Sequence, residues 1–306
     1  RRCQVLLMLY LPDAAITAQS IIAANGVDDA MARQDIAETR DEIQRYHRLD
    51  IVTHHDGCNR IEGTALNQRL CLLHWLRRAL RLCPQFVSHQ FTPALKTALK
   101  QHGIARPLYD DANLRALIGF CSRKLQRQFE CRDVQFLQLY LQYCLIQHQL
   151  GNTPQFSHVQ RSWTQSRGEY FTAQEIVRHW RRRVPQGAHG DEQLFLALLF
   201  MMLRTPDPVL DKHQQDQRLR RAIVRMVARF RSQTGMNFSD EQGLTDQLYI
   251  HLSQALDRSL FEIGIDNSLP EEIHRLYPRL LRTTKEALIE LEAEFGLRIS
   301  DEEMSL

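Results

Sequence analysis

The chain repeats itself once, at a long and nearly constant separation, and that repeat limits the fold more than any other feature. Leu137, Leu141 and Leu145 are answered by Leu248, Leu252 and Leu256, each pair 111 apart. Glu175 with Glu286 and Glu192 with Glu303 keep the same separation. An earlier stripe, Leu114, Leu117, Ile118, Cys121 and Leu125, is matched by Leu219, Ile223, Met226, Val227 and Phe230 at a spacing near 105, so the first loop of the second copy is longer by about six. Leucines every four residues make an amphipathic helix, because side chains one turn apart lie on one face. The period is too long for a stacked solenoid unit, so it predicts two copies of one all-helical domain, at 112–213 and 214–306. In the first copy Asp191-Glu192 opens onto a strongly apolar helix, Leu194 to Leu203. No counterpart follows Glu303-Met304, so the second bundle reads as truncated and the full-length protein is expected to continue past Leu306. The start at Arg1 likewise reads as trimmed.

Composition removes several function classes. With 306 residues, 43% apolar and 25% charged, the chain has the make-up of a globular protein with room for two or three domains. A net charge of +3 gives no bulk attraction for nucleic acid. Seven cysteines without paired spacing argue for a reducing compartment, hence a cytoplasmic protein, rather than a disulfide framework. The apolar run Val5 to Leu11 is too short to span a bilayer and lacks a cleavage site, so no membrane association is expected. No Gly-rich phosphate loop, nucleophile elbow or metalloprotease helix is present, so we expect no enzyme, no catalytic residues and no cofactor. His54-His55-Asp56-Gly57-Cys58 holds metal-ligand residue types, but adjacent ligands at a hairpin tip lack zinc-site spacing, and no metal is expected. Arg178-His179-Trp180-Arg181-Arg182-Arg183 reads as a solvated helix end in preference to an RNA contact.

Positions 1–66 follow a different pattern. Helices are expected at 3–11, 16–24 (stopped by Asn25-Gly26) and from Asp28 or Asp29 through Tyr46. Residues 49–53 and 59–63, joined by His54 to Cys58, predict a β-hairpin. Three helices and a hairpin predict a winged helix-turn-helix at 1–66, with Arg33, Gln34 and Arg40 as candidate DNA-binding residues. Seven arginines against ten acids leave residues 1–63 at −3, a handicap where phosphate contacts dominate affinity. A helix-turn-helix kept for dimerisation or protein contacts is therefore the competing reading. From Thr64 to Tyr109 the balance reverses to +7, without one acid. We expect basic linker helices at 67–111, packed structurally, their charges flanking DNA or pairing with the acidic domain before them.

The stretch Asn237 to Pro278 carries the chemistry. Leu248, Leu252, Leu256 and Leu260 stripe one helix, and Asp240 precedes it as a cap. His251 and Arg258, seven apart, share a face beside that stripe. Asp266-Asn267-Ser268-Leu269-Pro270 forms a turn cluster before a new helix near Glu271, and Tyr277-Pro278 breaks the pattern again. A histidine-leucine pair with arginine seven positions on, an Asn-x-Leu loop and a following Tyr-Pro resemble the phosphotransferase-system regulation domain, an all-helical module of bacterial transcription regulators. The family usually has Asn-Pro-Leu, where this chain has Asn267-Ser268-Leu269 and Pro270.

The resemblance implies a mainly α protein: a winged helix-turn-helix, linker helices, and two tandem regulation domains. It also implies histidine phosphorylation by the phosphocarrier proteins of sugar transport, a homodimer through the regulation domains, and DNA as partner. His251 is the implied phosphorylation site and Arg258 its phosphate-supporting residue. The repeat register sets Tyr140 opposite His251 and Gln147 opposite Arg258, and the family's second histidine position falls near Leu199. The first copy thus reads as unable to accept a phosphoryl group. The alternative is a degenerate member acting through protein contacts alone. RNA antitermination fits less well, because that class carries a small β-rich domain where this chain has helices.

Overall fold

A helix apolar on every side must be enclosed, and α1 (Arg2–Leu9) is: Val5, Leu6 and Leu7 have no exposed surface. The computed structural model describes residues 1–306 apart from 13, 186, 188 and 266–268. Asp266, Asn267 and Ser268 of the expected turn cluster therefore lie outside the described residues. Two compact units are formed, Arg1–Leu199 and Phe200–Leu306.

In the first unit α1 packs against α3 (Asp29–His47) and α4 (Ala65–Leu82). Between them α2 (Ala18–Asn25) opens on a capping box of Thr17 and Ser20 and closes on Gly26 at φ 61°, the left-handed stop expected of Asn-Gly. Asp28 caps α3 by accepting the Met31 N–H at 2.7 Å. Strands β1 (Asp50–Thr53) and β2 (Asn59–Glu62) pair antiparallel with Ile51 opposite Ile61. Asn59 fastens this hairpin to the α1–α2 connection, donating from backbone and side chain to the Ile16 carbonyl at 2.8 and 3.1 Å.

Helix α4 buries Leu66, Leu70, Leu73, Trp75, Leu76 and Ala79, and its Arg69, Arg77 and Arg78 find acids supplied by other elements. Arg78 lies 3.5 Å from Glu42 of α3, and Arg77 3.5 Å from Asp133. The acid-free stretch thus carries its charge to partners elsewhere. Pro84 ends α4 as expected, then opens the next helix from its first position, where its missing N–H costs nothing: α5 (Pro84–Phe86) runs through a π-helical turn, Val87–Phe91, into α6 (Thr92–Gln101). Five helices follow: α7 (Asp111–Leu125), α8 (Cys131–Gln149), α9 (His158–Gln165), α10 (Gly168–Arg183) and α11 (His189–Met202).

The second unit contains α12 (Gln214–Thr234), α13 (Glu241–Leu260), α14 (Leu269–Leu276), α15 (Pro278–Phe295) and α16 (Asp301–Met304). Their order and spacing follow those of α7 to α11; α9 and α14 both start and end at the separation of the leucine pairs. The last members differ, 14 residues in α11 against 4 in α16. Leu219, Ile223, Val227, Leu252, Leu256, Leu288 and Leu291 form the core of the second unit. Within the second unit one side chain ties the segment ahead of α12 to α13. Arg204 is buried and donates to Ser253 on α13 at 2.6 Å and to Asp211 at 3.3 Å, while Tyr249 donates to the same Asp211 carboxylate at 2.7 Å. Residues 204–211 are thereby tied to α13. No helix among the described residues is long and apolar enough to cross a membrane.

Candidate functional site

Helix α13 presents His251. Asp240 caps it, accepting the Gly243 N–H at 2.8 Å, and Leu252, Leu256 and Leu260 bury its stripe. That packing fixes which face looks out, and on it the His251 side chain retains 31% of its surface. Nε2 of His251 sits 3.0 Å from the main-chain carbonyl of Glu303 and 3.9 Å from its carboxylate. A carbonyl only accepts, so Nε2 carries the proton of the neutral ring and Nδ1 keeps the nucleophilic lone pair.

Arg258 and His251 share a face, as their spacing predicts, and both converge on Glu303. The Arg258 guanidinium forks onto that carboxylate, Nε to Oε1 and a second arm to Oε2 at 2.9 Å. Glu303 is 4% exposed and belongs to α16, which Ser300 caps. Beside this triad lies an apolar hollow of about 270 Å³ lined by Phe230, Phe238, Leu248, Leu252, Leu288 and Met304. Arg258 is therefore committed to a carboxylate in this state of the molecule, and Glu303, which the spacing argument did not single out as a site residue, is the hub of the cluster.

The corresponding positions of the first unit are built for permanence. Tyr140 is fully buried and its hydroxyl donates to the Arg69 carbonyl. Gln147 accepts from Asn152 at 3.0 Å. Glu192, which the repeat register sets opposite Glu303, is again a buried carboxylate held by an arginine fork, but the arginine is Arg69 of α4, with one arm at 2.8 Å. Thr153 adds a hydrogen bond of 3.1 Å, and the buried His148 ring lies 3.5 Å away. Burial pushes the Glu192 carboxyl up, yet the Arg69 charge and these hydrogen bonds outweigh it and hold the group below its usual range. Leu199, where a second histidine would fall, is buried in α11.

The amino-terminal candidates all lie on the exposed side of α3, and each is engaged by a carboxylate close by. Arg33 pairs with Asp29 at 2.8 Å, Gln34 donates to Glu38 at 2.9 Å, and Arg40 forks onto Asp50 at 2.7 and 3.3 Å. The Arg40 guanidinium holds the Asp50 carboxyl below its ordinary range. Arg33 and Arg40, but not Gln34, border a groove of about 600 Å³ between α3 and the hairpin, lined also by Ile36, Ile51 and Thr53. In the basic run of α10, Trp180 is 2% exposed, so its ring is not offered for stacking, and the arginines around it close a helix C-terminus where positive charge is favourable.

The model of the PRD domain matches residues 224–306, the segment that holds His251, Arg258 and Glu303. The stationary phase-inducible protein CsiE of Escherichia coli (strain K12) is 59% identical over all 306 residues, which span 72% of that protein. The chain belongs to the CsiE family of PRD-domain proteins. A more distant relative, the transcriptional regulator ManR of Bacillus subtilis (strain 168), is 19% identical over 96% of this chain and 44% of its own length. The match places the PRD model on the unit that contains the partly exposed imidazole.

Proposed function

We propose that this chain is a bacterial, cytoplasmic transcription regulator with a winged helix-turn-helix at 1–66, linker helices at 67–111, and PRD modules at 112–213 and 214–306. In this reading the first module is structural and the second is the switch. The observation that carries it is the convergence of His251 and Arg258 on one buried residue, Glu303, the ring on its carbonyl and the guanidinium on its carboxylate, set against Tyr140 and Gln147 at the matching positions. A phosphocarrier of the sugar phosphotransferase system is the proposed donor: its phosphorus–nitrogen bond breaks as a new one forms to Nδ1 of His251. The transferred phosphoryl group carries roughly two negative charges at neutral pH. Nε2 keeps its proton, so the ring bears one positive charge beside the phosphoryl group, and its N–H still faces Glu303, 3.9 Å from the carboxylate before transfer. Phosphate competes with that carboxylate for the Arg258 fork, because each offers two oxygens to the paired N–H groups of a guanidinium. Breaking the Arg258–Glu303 clasp frees α16, and a change there is passed to a homodimer formed through the PRD modules.

The test is acid-labile label from the phosphocarriers on the chain as it stands. Label is expected on the wild type and absent from His251→Ala; equal labelling of the variant removes His251 from the mechanism. The second reading, a family member working through protein contacts without DNA or phosphate, draws on a specific observation: Arg33, Gln34 and Arg40 are each held by neighbours on the protein. Retention of random and genomic DNA alike, without salt dependence, would favour it.

A further inference from the structure

In the second unit the seam between α12 and α15 is closed by charge. Glu294 takes Arg218 at 3.2 Å and Arg225 beside it, and Glu290 takes Arg229 at 2.7 Å. On α10 the repeat register sets Arg183 opposite Glu294 and His179 opposite Glu290. On α7 it sets Asn113 opposite Arg218 and Phe120 opposite Arg225. All four of these first-unit residues line an open groove of about 540 Å³ along the seam of α7 and α10. The first unit thus lacks the bridges that shut the second, and a groove stands in their place.

Both helices give that groove positive charge. Arg123 of α7 and Arg182 and Arg183 of α10 line it, all three exposed, and among the described residues none of them is in an ion pair. The acid in the lining, Glu175, is already held by Lys124 at 3.4 Å and Arg178 at 2.9 Å. Leu117 and Phe120 add apolar surface, the Phe120 residue being 40% exposed. Cations gathered in one groove without a free carboxylate repel one another, and the apolar lining gains from being covered. A partner that brings carboxylates and an apolar side chain together answers both. The second unit shows a form that fits: Glu290 and Glu294, one helical turn apart, reach arginines across the same kind of seam. Single-stranded nucleic acid fits less well, because Phe120 is one ring and stacking successive bases takes several.

We infer that this groove docks an acidic helical segment of a partner protein, its carboxylates meeting Arg123, Arg182 and Arg183 and an apolar residue between them covering Leu117 and Phe120. Neither His251 nor the amino-terminal helices take part, so docking stands or falls separately from the labelling and DNA tests above. The test is selection of a random dodecapeptide display library on the immobilised chain, followed by fluorescence anisotropy of the selected peptide. Sequences with acids about one helical turn apart and an aliphatic or aromatic residue between them are expected, binding more weakly as salt rises. Arg182→Glu with Arg183→Glu should weaken the peptide by about tenfold with an unchanged circular dichroism spectrum, because both side chains are exposed. Phe120→Arg with Arg183→Glu writes a bridge of the second unit into the first, and should close the groove and abolish binding without loss of helix. Selection of sequences that lack acids, equal peptide binding by either double variant, or oligothymidylate bound where no peptide is would each overturn the proposal.

Discussion

At the scale of single residues, two glutamates at matching positions of the repeat have been given different guanidinium partners, and the difference decides what each can do. Glu303 takes Arg258 from its own unit's helix α13, at a place where the His251 ring is partly exposed. Glu192 takes Arg69, itself 1% exposed, and the pair is enclosed. Removing one member of an enclosed pair leaves the other charged without compensation, at a cost of about 3–5 kcal/mol. Glu192→Gln is therefore expected to lower the unfolding free energy of the first unit by an amount of that order, seen as a lower urea midpoint in tryptophan fluorescence. The sign of its pH dependence follows from the depressed carboxyl. Glu192 contributes stability that is complete above the usual glutamate value of 4.5 and is lost as pH falls through the lower folded value. The wild-type midpoint should drop on acidification below about pH 4.5, and the variant should lose that part of the dependence. His251 with Arg258 was legible from their spacing of seven, because a helix turns two full times in that interval. Glu303 as their common partner was not, since it joins them from far along the chain and no local pattern encodes such a meeting.

Among the elements, those whose signals are local were readable and those that depend on tertiary contact were not. The caps at Asp28 and Asp240, the stop at Gly26 and the hairpin around His54 to Cys58 all depend on residues within a few positions of each other, and they lie where expected. The π-helical turn Val87–Phe91, with Val87 and Phe91 buried, carried no sequence signal, because no local pattern of residue types encodes a wider turn. Nor did the sequence reveal that α3 engages its own arginines. If Asp50 restrains Arg40, then Asp50→Asn should strengthen retention of genomic DNA fragments several-fold at low salt. Arg40→Ala should weaken it and make the salt dependence shallower by about one counterion. Identical binding by all three proteins would show that Arg40 does not meet phosphate.

For the molecule as a whole, the repeat announced a tandem helical series, and helix order and spacing agree with it. What the repeat could not announce is that the first series depends on a helix outside itself. The arginine that neutralises Glu192 comes from α4, upstream of α7, and the Tyr140 hydroxyl is bonded to the main chain of that same residue. A fragment beginning at position 112 would keep Glu192, Thr153 and His148 while discarding the positive charge at their centre. We expect such a fragment to be poorly folded by circular dichroism at neutral pH, and one beginning at Thr64 to be markedly more stable. A module that draws its counter-ion from the connector cannot be shuffled between proteins on its own: whatever lineage inherits it must inherit the connector with it, and any motion reaching one is felt by the other.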